Sequence, residues 1–232
     1  MFFGFLPLFI QSTIFGVDIG FEYIKVSVVY PDSTIKSALN QQSKRLSPAY
    51  FAFWNKSNPR TFSLNQISNS DSHIDSRTLQ QMNWAFFDSA KTHSQRFPQN
   101  GFKGLISNIL ENDFHGLNGR EVFALVIRRL ISTIDDGKYN PDEASVVISI
   151  DPSVSRITRD SIADALKIAN IHLISIIDSS TSVATLYAQE KKSFFYGTSK
   201  NVLFYDMGSN SSWAGVYKFS MPLNDQNQRV IP

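Results

Sequence analysis

Gly16-Val17-Asp18-Ile19-Gly20 and, far along the chain, Phe204-Tyr205-Asp206-Met207-Gly208 repeat one pattern. Each stretch is an apolar run that predicts a strand, ends in aspartate and carries a glycine two residues after the aspartate. A glycine at such a turn permits the close approach of another backbone or of a phosphate, and successive turn N–H groups form an anion-binding concavity. The aspartate before it can hold Mg²⁺ through water.

The repetition matters more than either copy, because Asp and Gly are also the residues that ordinary hairpin turns favour. One Asp-x-Gly turn therefore carries little information. Two copies at strand ends, with an α/β pattern between them, indicate two hairpins that face each other across a cleft. Such a pair can grip one nucleoside triphosphate and its metal ion.

The segments around the two turns have regular periodicity. Ile24, Val26 and Val28 alternate with polar residues, which predicts a strand with one buried face. Further strands are predicted at residues 47–53, 145–150, 174–177, 201–205 and 214–219, and helices at 119–137, 155–170 and 181–189. The segment 55–117 predicts an irregular region with one or two short helices. This order predicts an α/β fold with mixed sheets and two related lobes.

The composition excludes several classes of protein. Of the 232 residues, 42% are hydrophobic, which is enough for a packed core. Lys and Arg number 22 against 20 Asp and Glu, so the net charge of +2 provides no basic field for nucleic acid. The absence of cysteine excludes disulfides, thiolate zinc sites and a cysteine nucleophile. Neither a Gly-x-Ser-x-Gly elbow nor a Walker loop is present, so hydrolases of those types lose support.

Residues 1–13 predict a signal peptide. The apolar run at residues 2–10 is too short to span a bilayer, which takes about 20 residues, and the small polar residues Ser12 and Thr13 follow it. No Lys or Arg precedes the run, so a buried first strand and a truncated start remain as alternatives. No membrane span is expected.

Four blocks resemble, in order, the N-terminal part of the ATPase domain of the seventy-kilodalton heat shock protein family. They are residues 17–20 for the first phosphate loop, 39–53 for the stretch after it, 146–184 for the strand-helix-strand unit and connecting helix, and 202–209 for the second phosphate loop. The resemblance implies the actin-like (ribonuclease H-like) fold. It implies lobe I over residues 14–190, with the irregular segment 55–117, and the first β-hairpin of an incomplete lobe II over residues 191–232.

Two stretches, 39–45 and 204–209, are similar to the large hypoxia up-regulated (glucose-regulated, one-hundred-seventy-kilodalton) branch of that family. The resemblance implies a chaperone of the endoplasmic reticulum lumen that assists protein folding. It also implies a role in promoting nucleotide exchange on another lumenal chaperone of the family. The implied partners are that chaperone and unfolded client proteins.

The resemblance further implies ATP or ADP with Mg²⁺ as ligands. The implied binding residues are Asp18, Ile19, Gly20, Phe21 and Glu22 in the first turn and Asp206, Gly208, Ser209, Asn210 and Ser211 in the second. Asp18 and Asp206 would hold the Mg²⁺ through water. The adenosine-binding part of lobe II is expected beyond residue 232, so weak or no ATP binding is expected of this chain alone.

Several positions depart from the family pattern. Phe21 and Glu22 stand where the family has two threonines, and the Glu22 carboxylate repels phosphate unless Mg²⁺ or a lysine intervenes. Ser179 stands where the family has a glutamate that positions Mg²⁺ and the attacking water, and a serine cannot act as a general base unaided. Trp213 replaces an aspartate after the second loop.

No catalytic residue is assigned. Lys91 and Lys103 are candidates for the family's catalytic lysine, but no motif selects either. The expectation is an ATPase-like fold with degenerate catalytic positions, in which hydrolysis is slow or lost. One alternative is a non-catalytic interaction module that docks on another chaperone without nucleotide. A sugar or acid kinase of the same actin-like fold lacks support from residues 39–53 and 176–184.

Overall fold

The computed structural model describes residues 13–30, 32–55, 82–114, 117–195 and 198–220. The strands are β1 (Thr13–Ile19), β2 (Tyr23–Val29), β3 (Ile35–Ser37), β4 (Ser47–Pro48), β5 (Tyr50–Asn55), β6 (Met82–Phe86), β7 (Gly101–Lys103), β8 (Asp113–Phe114), β9 (Leu117–Asn118), β10 (Ala144–Ile150), β11 (His172–Asp178), β12 (Lys200–Met207) and β13 (Ser212–Phe219). The α-helices are α1 (Phe87–Arg96), α2 (Gly119–Ile131), α3 (Arg156–Ile168) and α4 (Ser179–Glu190). Shorter helical segments are the 3₁₀ turns Pro98–Asn100, Ile134–Gly137, Pro141–Glu143 and Lys192–Phe195 and the π-helix Leu105–Leu110.

Among the described residues, the largest sheet has six strands in the order β11–β10–β1–β2–β3, with β4 also paired to β2. β10 lies parallel to β1 and β11 lies parallel to β10, whereas β2 is antiparallel to β1. Parallel neighbours need a long crossover, and α3 supplies the one between β10 and β11. The carboxyl ends of β1, β10 and β11 therefore lie at the same edge of the sheet.

One face of this sheet forms the main core. Alternate residues of β1 and β2 are buried there, namely Phe15, Val17, Ile19, Ile24, Val26 and Val28. The apolar stripes of α2 and α3 pack against them and belong to the same buried cluster. The opposite face of β1 and β2 carries Gly16, Asp18, Lys25 and Ser27, which line a cleft instead of the core.

A smaller sheet is built from β6, β5 and β7 in that order. Its aromatic side chains stack on one another, with the rings of Phe53 and Phe102 5.5 Å apart and those of Phe51 and Trp84 5.6 Å apart. α1 follows β6 and buries Phe87 and Ala90. The predicted irregular segment thus contains a short helix, as expected, and also paired strands that its polar composition did not indicate.

β12 and β13 form a separate two-stranded antiparallel sheet. On one face Phe204 and Phe219 pack with Tyr187 of α4 and with the buried ring of Phe195. On the other face Leu203, Tyr205, Met207 and Val216 are each at least 66% exposed. The hairpin is therefore joined to the rest of the chain through α4 and a small aromatic cluster.

The structure confirms the predicted mixed α/β fold. The predicted helices and strands between residues 119 and 219 are present, and most of their ends lie within two residues of the prediction. The prediction that the helix at 119–137 runs to Gly137 was wrong: α2 ends at Ile131, and Asp135 and Asp136 have positive φ angles that do not continue a helix. The single strand predicted at residues 47–53 is instead split into β4 and β5, which join different sheets, with Ala49 between them. The predicted signal peptide lies outside the described residues apart from Thr13, with which β1 begins.

Candidate nucleotide cleft

The first turn, residues 20–23, connects β1 to β2. The Gly20 N–H donates to the carbonyl oxygen of Tyr23 at 3.0 Å, which closes the turn. A Cβ on Gly20 would lie 2.9 Å from that same oxygen, so a larger residue would force the backbone to shift. Glycine is therefore required at this position by the close approach of the chain to itself.

The second turn, residues 208–211, connects β12 to β13 and has the same geometry. The Gly208 N–H donates to the carbonyl oxygen of Ser211 at 2.8 Å. A Cβ on Gly208 would lie 3.2 Å from this oxygen, a tight but less severe contact. The Asp-x-Gly repeat in the sequence thus encodes the same turn twice.

Both turns line one cleft with a volume of about 900 Å³. The end of β1 and the first turn contribute Asp18 to Phe21, and the end of β12 and the second turn contribute Asp206 to Ser211. The base of the cleft comes from the edge of the main sheet and the start of α4, through Ser149, Asp151, Ile177, Ser179 and Ser182. The fold therefore brings together two turns that are far apart in the sequence.

The carboxylates at the end of β1 and in the first turn are paired with lysines. Lys25 Nζ lies 2.9 Å from an Asp18 carboxylate oxygen, and Lys103 Nζ lies 3.4 Å from a Glu22 carboxylate oxygen. Lys103 also lies 5.1 Å from the centre of the Phe21 ring. A lysine thus offsets the charge that Glu22 would otherwise present to a phosphate. Lys91 is placed differently, 5.6 Å from the ring of Tyr23.

Asp151, directly after β10, makes a contact to the second turn that the sequence did not reveal. Its Oδ2 accepts a hydrogen bond of 2.5 Å from the Ser211 hydroxyl, and its Oδ1 accepts from the amide and hydroxyl of Ser153. Partial burial acts to raise the pKa of Asp151, but the hydrogen bonds from Ser153 and Ser211 outweigh it and hold the pKa below its ordinary value. Asp151 is therefore ionised at neutral pH.

Asp151 was not among the binding residues predicted from the sequence, where it only follows the strand predicted at residues 145–150. The position of Asp151 at the carboxyl end of a central parallel strand was the signal that could have found it. Ligands in open α/β sheets bind at this edge. Trp213, which faces Asp206 in the hairpin register, also lines the cleft. Its indole N–H is buried and has no hydrogen-bond partner among the described residues.

Nine of the ten binding residues implied by the resemblance line the cleft, namely Asp18, Ile19, Gly20, Phe21, Asp206, Gly208, Ser209, Asn210 and Ser211. The tenth, Glu22, is directed to Lys103 and is not among the lining residues. Ser179 lines the cleft at the start of α4, where the family pattern has a glutamate. Nucleotide binding by these residues stays a prediction.

The donor set fits a nucleotide only together with its metal. The hydroxyls of Ser179 and Ser209 line the cleft and are suitable donors to phosphate, whereas those of Ser153, Ser182 and Ser211 already donate within the protein. Asp18, Asp151 and Asp206 line it too, against Lys25 as the one lysine or arginine among the lining residues that the structure describes. Mg²⁺ carried by the nucleotide would offset these carboxylates.

Among the described residues, no group of three or more His, Asp or Glu side chains is placed to hold a metal ion. A water-mediated Mg²⁺ between Asp18 and Asp206 needs no such group. None of the helices in this part of the chain is long and apolar enough to cross a membrane.

Comparison with known protein families matches residues 14–221 to Hsp70 protein. Hypoxia up-regulated protein 1 of Xenopus laevis is 25% identical over 208 residues, which cover 86% of this chain and 32% of that protein. The protein of the same name from Danio rerio is 24% identical over 226 residues, covering 93% and 23%. Heat shock protein 70 homolog lhs1 of Schizosaccharomyces pombe is 23% identical over 219 residues, covering 90% and 25%. The chain therefore spans between 23% and 32% of the length of these relatives.

Proposed function

Because the chain belongs to the Hsp70 family, we propose that it forms the phosphate end of the nucleotide cleft in a large chaperone of the endoplasmic reticulum lumen. The relatives named hypoxia up-regulated protein 1 and lhs1 support this assignment. In the proposal the protein assists folding and promotes nucleotide exchange on a lumenal chaperone of the same family. Unfolded proteins and that chaperone are its partners.

The observation that carries the proposal is the meeting of the two turns at one cleft. Asp18 and Asp206 hold Mg²⁺ through water, and the hydroxyls of Ser209 and Ser211 donate to phosphate oxygens. The amides of Gly20 and Gly208 take no part in this, because they close their own turns. When bound, Mg²⁺ offsets the negative charge of the phosphates and of the cleft carboxylates.

Hydrolysis is proposed to be slow or lost. Ser179 occupies the cleft wall where a general base or a water-positioning carboxylate is required, and a serine hydroxyl cannot take that proton unaided. The Lys103 ammonium is engaged by Glu22. Nucleotide in this cleft would therefore act as a structural ligand that holds the two turns together.

The test is whether Mg-ADP binds to the protein. Calorimetry measures the binding, and amide hydrogen exchange shows which residues it protects. At millimolar Mg-ADP we expect slower exchange at residues 18–23 and 206–212, and no such effect from adenosine, which lacks phosphate. Asp206→Asn should weaken the protection. Asp160→Asn, on the exposed surface of α3, is the matched control and should leave it unchanged.

A second candidate is the non-catalytic interaction module that docks on another chaperone without nucleotide. It is favoured by the contacts that already engage the cleft residues, Lys25 with Asp18 and Ser211 with Asp151. Under this alternative Mg-ADP leaves the exchange of both turns unchanged at millimolar concentration. That result would contradict the proposed nucleotide binding, whereas membership of the Hsp70 family would still hold.

A further inference from the structure

The contact between Ser211 and Asp151 links the second turn directly to the main sheet. The two residues are 60 positions apart, and the hydroxyl lies 2.5 Å from the carboxylate. Ser211 is the last residue of the turn, and its carbonyl oxygen closes that turn with the Gly208 N–H. A single residue therefore fixes both the shape of the turn and its attachment.

The Asp151 carboxylate is held firmly in place for this contact. Two hydrogen bonds from Ser153, at 2.8 Å from the amide and 2.5 Å from the hydroxyl, fix its Oδ1 and leave its Oδ2 directed to Ser211. The Val154 N–H donates to the Asp151 carbonyl oxygen at 3.1 Å, which closes the backbone turn after β10. The acceptor is thus oriented by hydrogen bonds within residues 151–154, without a contribution from the second turn.

An anionic acceptor at this position has the same chemistry as a phosphate oxygen. It takes the hydroxyl donor that a phosphate between the turns would use, and it places a negative charge beside that phosphate. Lys25, the one cationic side chain among the described lining residues, is already paired with Asp18. A phosphate without a cation therefore meets net negative charge at this end of the cleft.

We infer that Asp151 is an internal competitor for the second turn, which it holds closed in the absence of nucleotide and from which it excludes phosphate that carries no divalent cation. That Asp151 holds the second turn rests on the Ser211 contact alone. That Asp151 excludes phosphate without a divalent cation rests also on the proposed nucleotide cleft. Asp151 is thereby a specificity-determining residue that selects Mg-nucleotide over free nucleotide.

Asp151→Asn tests the competition, because asparagine keeps the shape and one acceptor oxygen and removes the charge. We expect the affinity for ADP in EDTA to rise at least about tenfold, a change of about 1.4 kcal/mol, with a smaller gain for Mg-ADP. Asp164→Asn is the control, because Asp164 pairs with Arg120 and Lys167 away from the cleft. Equal affinity of Asp151→Asn and the wild type for ADP in EDTA would overturn the inference.

Hydrogen exchange of the nucleotide-free protein tests the attachment separately. Asp151→Asn and Ser211→Ala should each speed exchange at residues 206–213, and the double variant should add nothing to the larger single effect. Ser209→Ala, in the same turn, should have no effect. If no variant binds nucleotide, the proposed nucleotide cleft fails and this exchange result decides the inference. Unchanged exchange, or additive effects of the two substitutions, would contradict the inference that Asp151 holds the second turn through Ser211.

Discussion

The first turn, residues 20–23, and the second turn, residues 208–211, are closed by equivalent hydrogen bonds. In each, a glycine N–H donates to the carbonyl oxygen three residues later. Their surroundings differ. The first joins two strands of a six-stranded sheet, and lysines pair with the carboxylates of Asp18 and Glu22. The second ends a two-stranded hairpin, and Asp151, directly after β10 of the main sheet, accepts a hydrogen bond from its last residue. One sequence pattern therefore produces one backbone turn, whereas the neighbouring elements decide which charge each turn presents.

The largest expected difference between the two turns is in the stability of the sheets behind them. Phe219 is fully buried, with its ring 4.9 Å from that of Phe195. Truncating a buried phenylalanine costs about 3–5 kcal/mol, and the cluster behind the hairpin contains only four buried residues among those described. We expect Phe219→Ala to abolish protection of β12 and β13 in hydrogen exchange while β1 and β2 stay protected.

Phe15→Ala is the matched control for that experiment. Phe15 is equally buried but belongs to the main cluster beneath the six-stranded sheet. Its loss should lower the free energy of global unfolding in urea and speed exchange in every strand of that sheet. If Phe219→Ala instead exposed β1 and β2 as strongly as β12 and β13, the two turns would belong to one cooperative unit.

Much of the fold could be predicted from the sequence, because the spacing of apolar residues within a single strand or helix indicates which face of that element is buried. Alternation in β2 and the helical spacing of Val122, Val126 and Leu130 in α2 report directly which face is buried. The segment after β5 was harder to interpret. Its strands β6 and β7 are stabilised by aromatic stacking on Phe51 and Phe53, which are distant in sequence.

The candidate site was predictable for the turns and not for what surrounds them. Asp18 and Asp206 could be predicted as candidates because the Asp-x-Gly pattern is local. The partners of these turns, Lys103 with Glu22 and Asp151 with Ser211, are separated by 81 and 60 positions. No periodicity or motif links such residues, because their meeting depends on the crossover connections and on how the hairpin packs against the main sheet.

Alanine substitutions at the two turn glycines test the backbone geometry of each turn. Gly20→Ala places a Cβ 2.9 Å from the backbone oxygen of Tyr23 in β2, whereas Gly208→Ala places one 3.2 Å from the backbone oxygen of Ser211. We expect losses in unfolding free energy of about 1–3 kcal/mol for Gly20→Ala and below about 1 kcal/mol for Gly208→Ala. Urea denaturation measures both, and a larger loss for Gly208→Ala would contradict the assigned geometry.

The smallest expected effect is that of the ion pair between Lys25 and Asp18. The Lys25 side chain is 59% exposed and that of Asp18 37%, so solvent screens their attraction. In a double-mutant cycle with Lys25→Met and Asp18→Asn we expect a coupling energy of about 0.2–1 kcal/mol in unfolding free energy. The coupling should shrink in high salt, as the attraction of an exposed pair does.

Lys218→Met, on the exposed face of β13, is the control and should show no coupling to Asp18→Asn. A vanishing Lys25 coupling at low salt would mean that the Asp18 charge is not offset by Lys25, so that the first turn, like the second, presents a negative charge to the cleft.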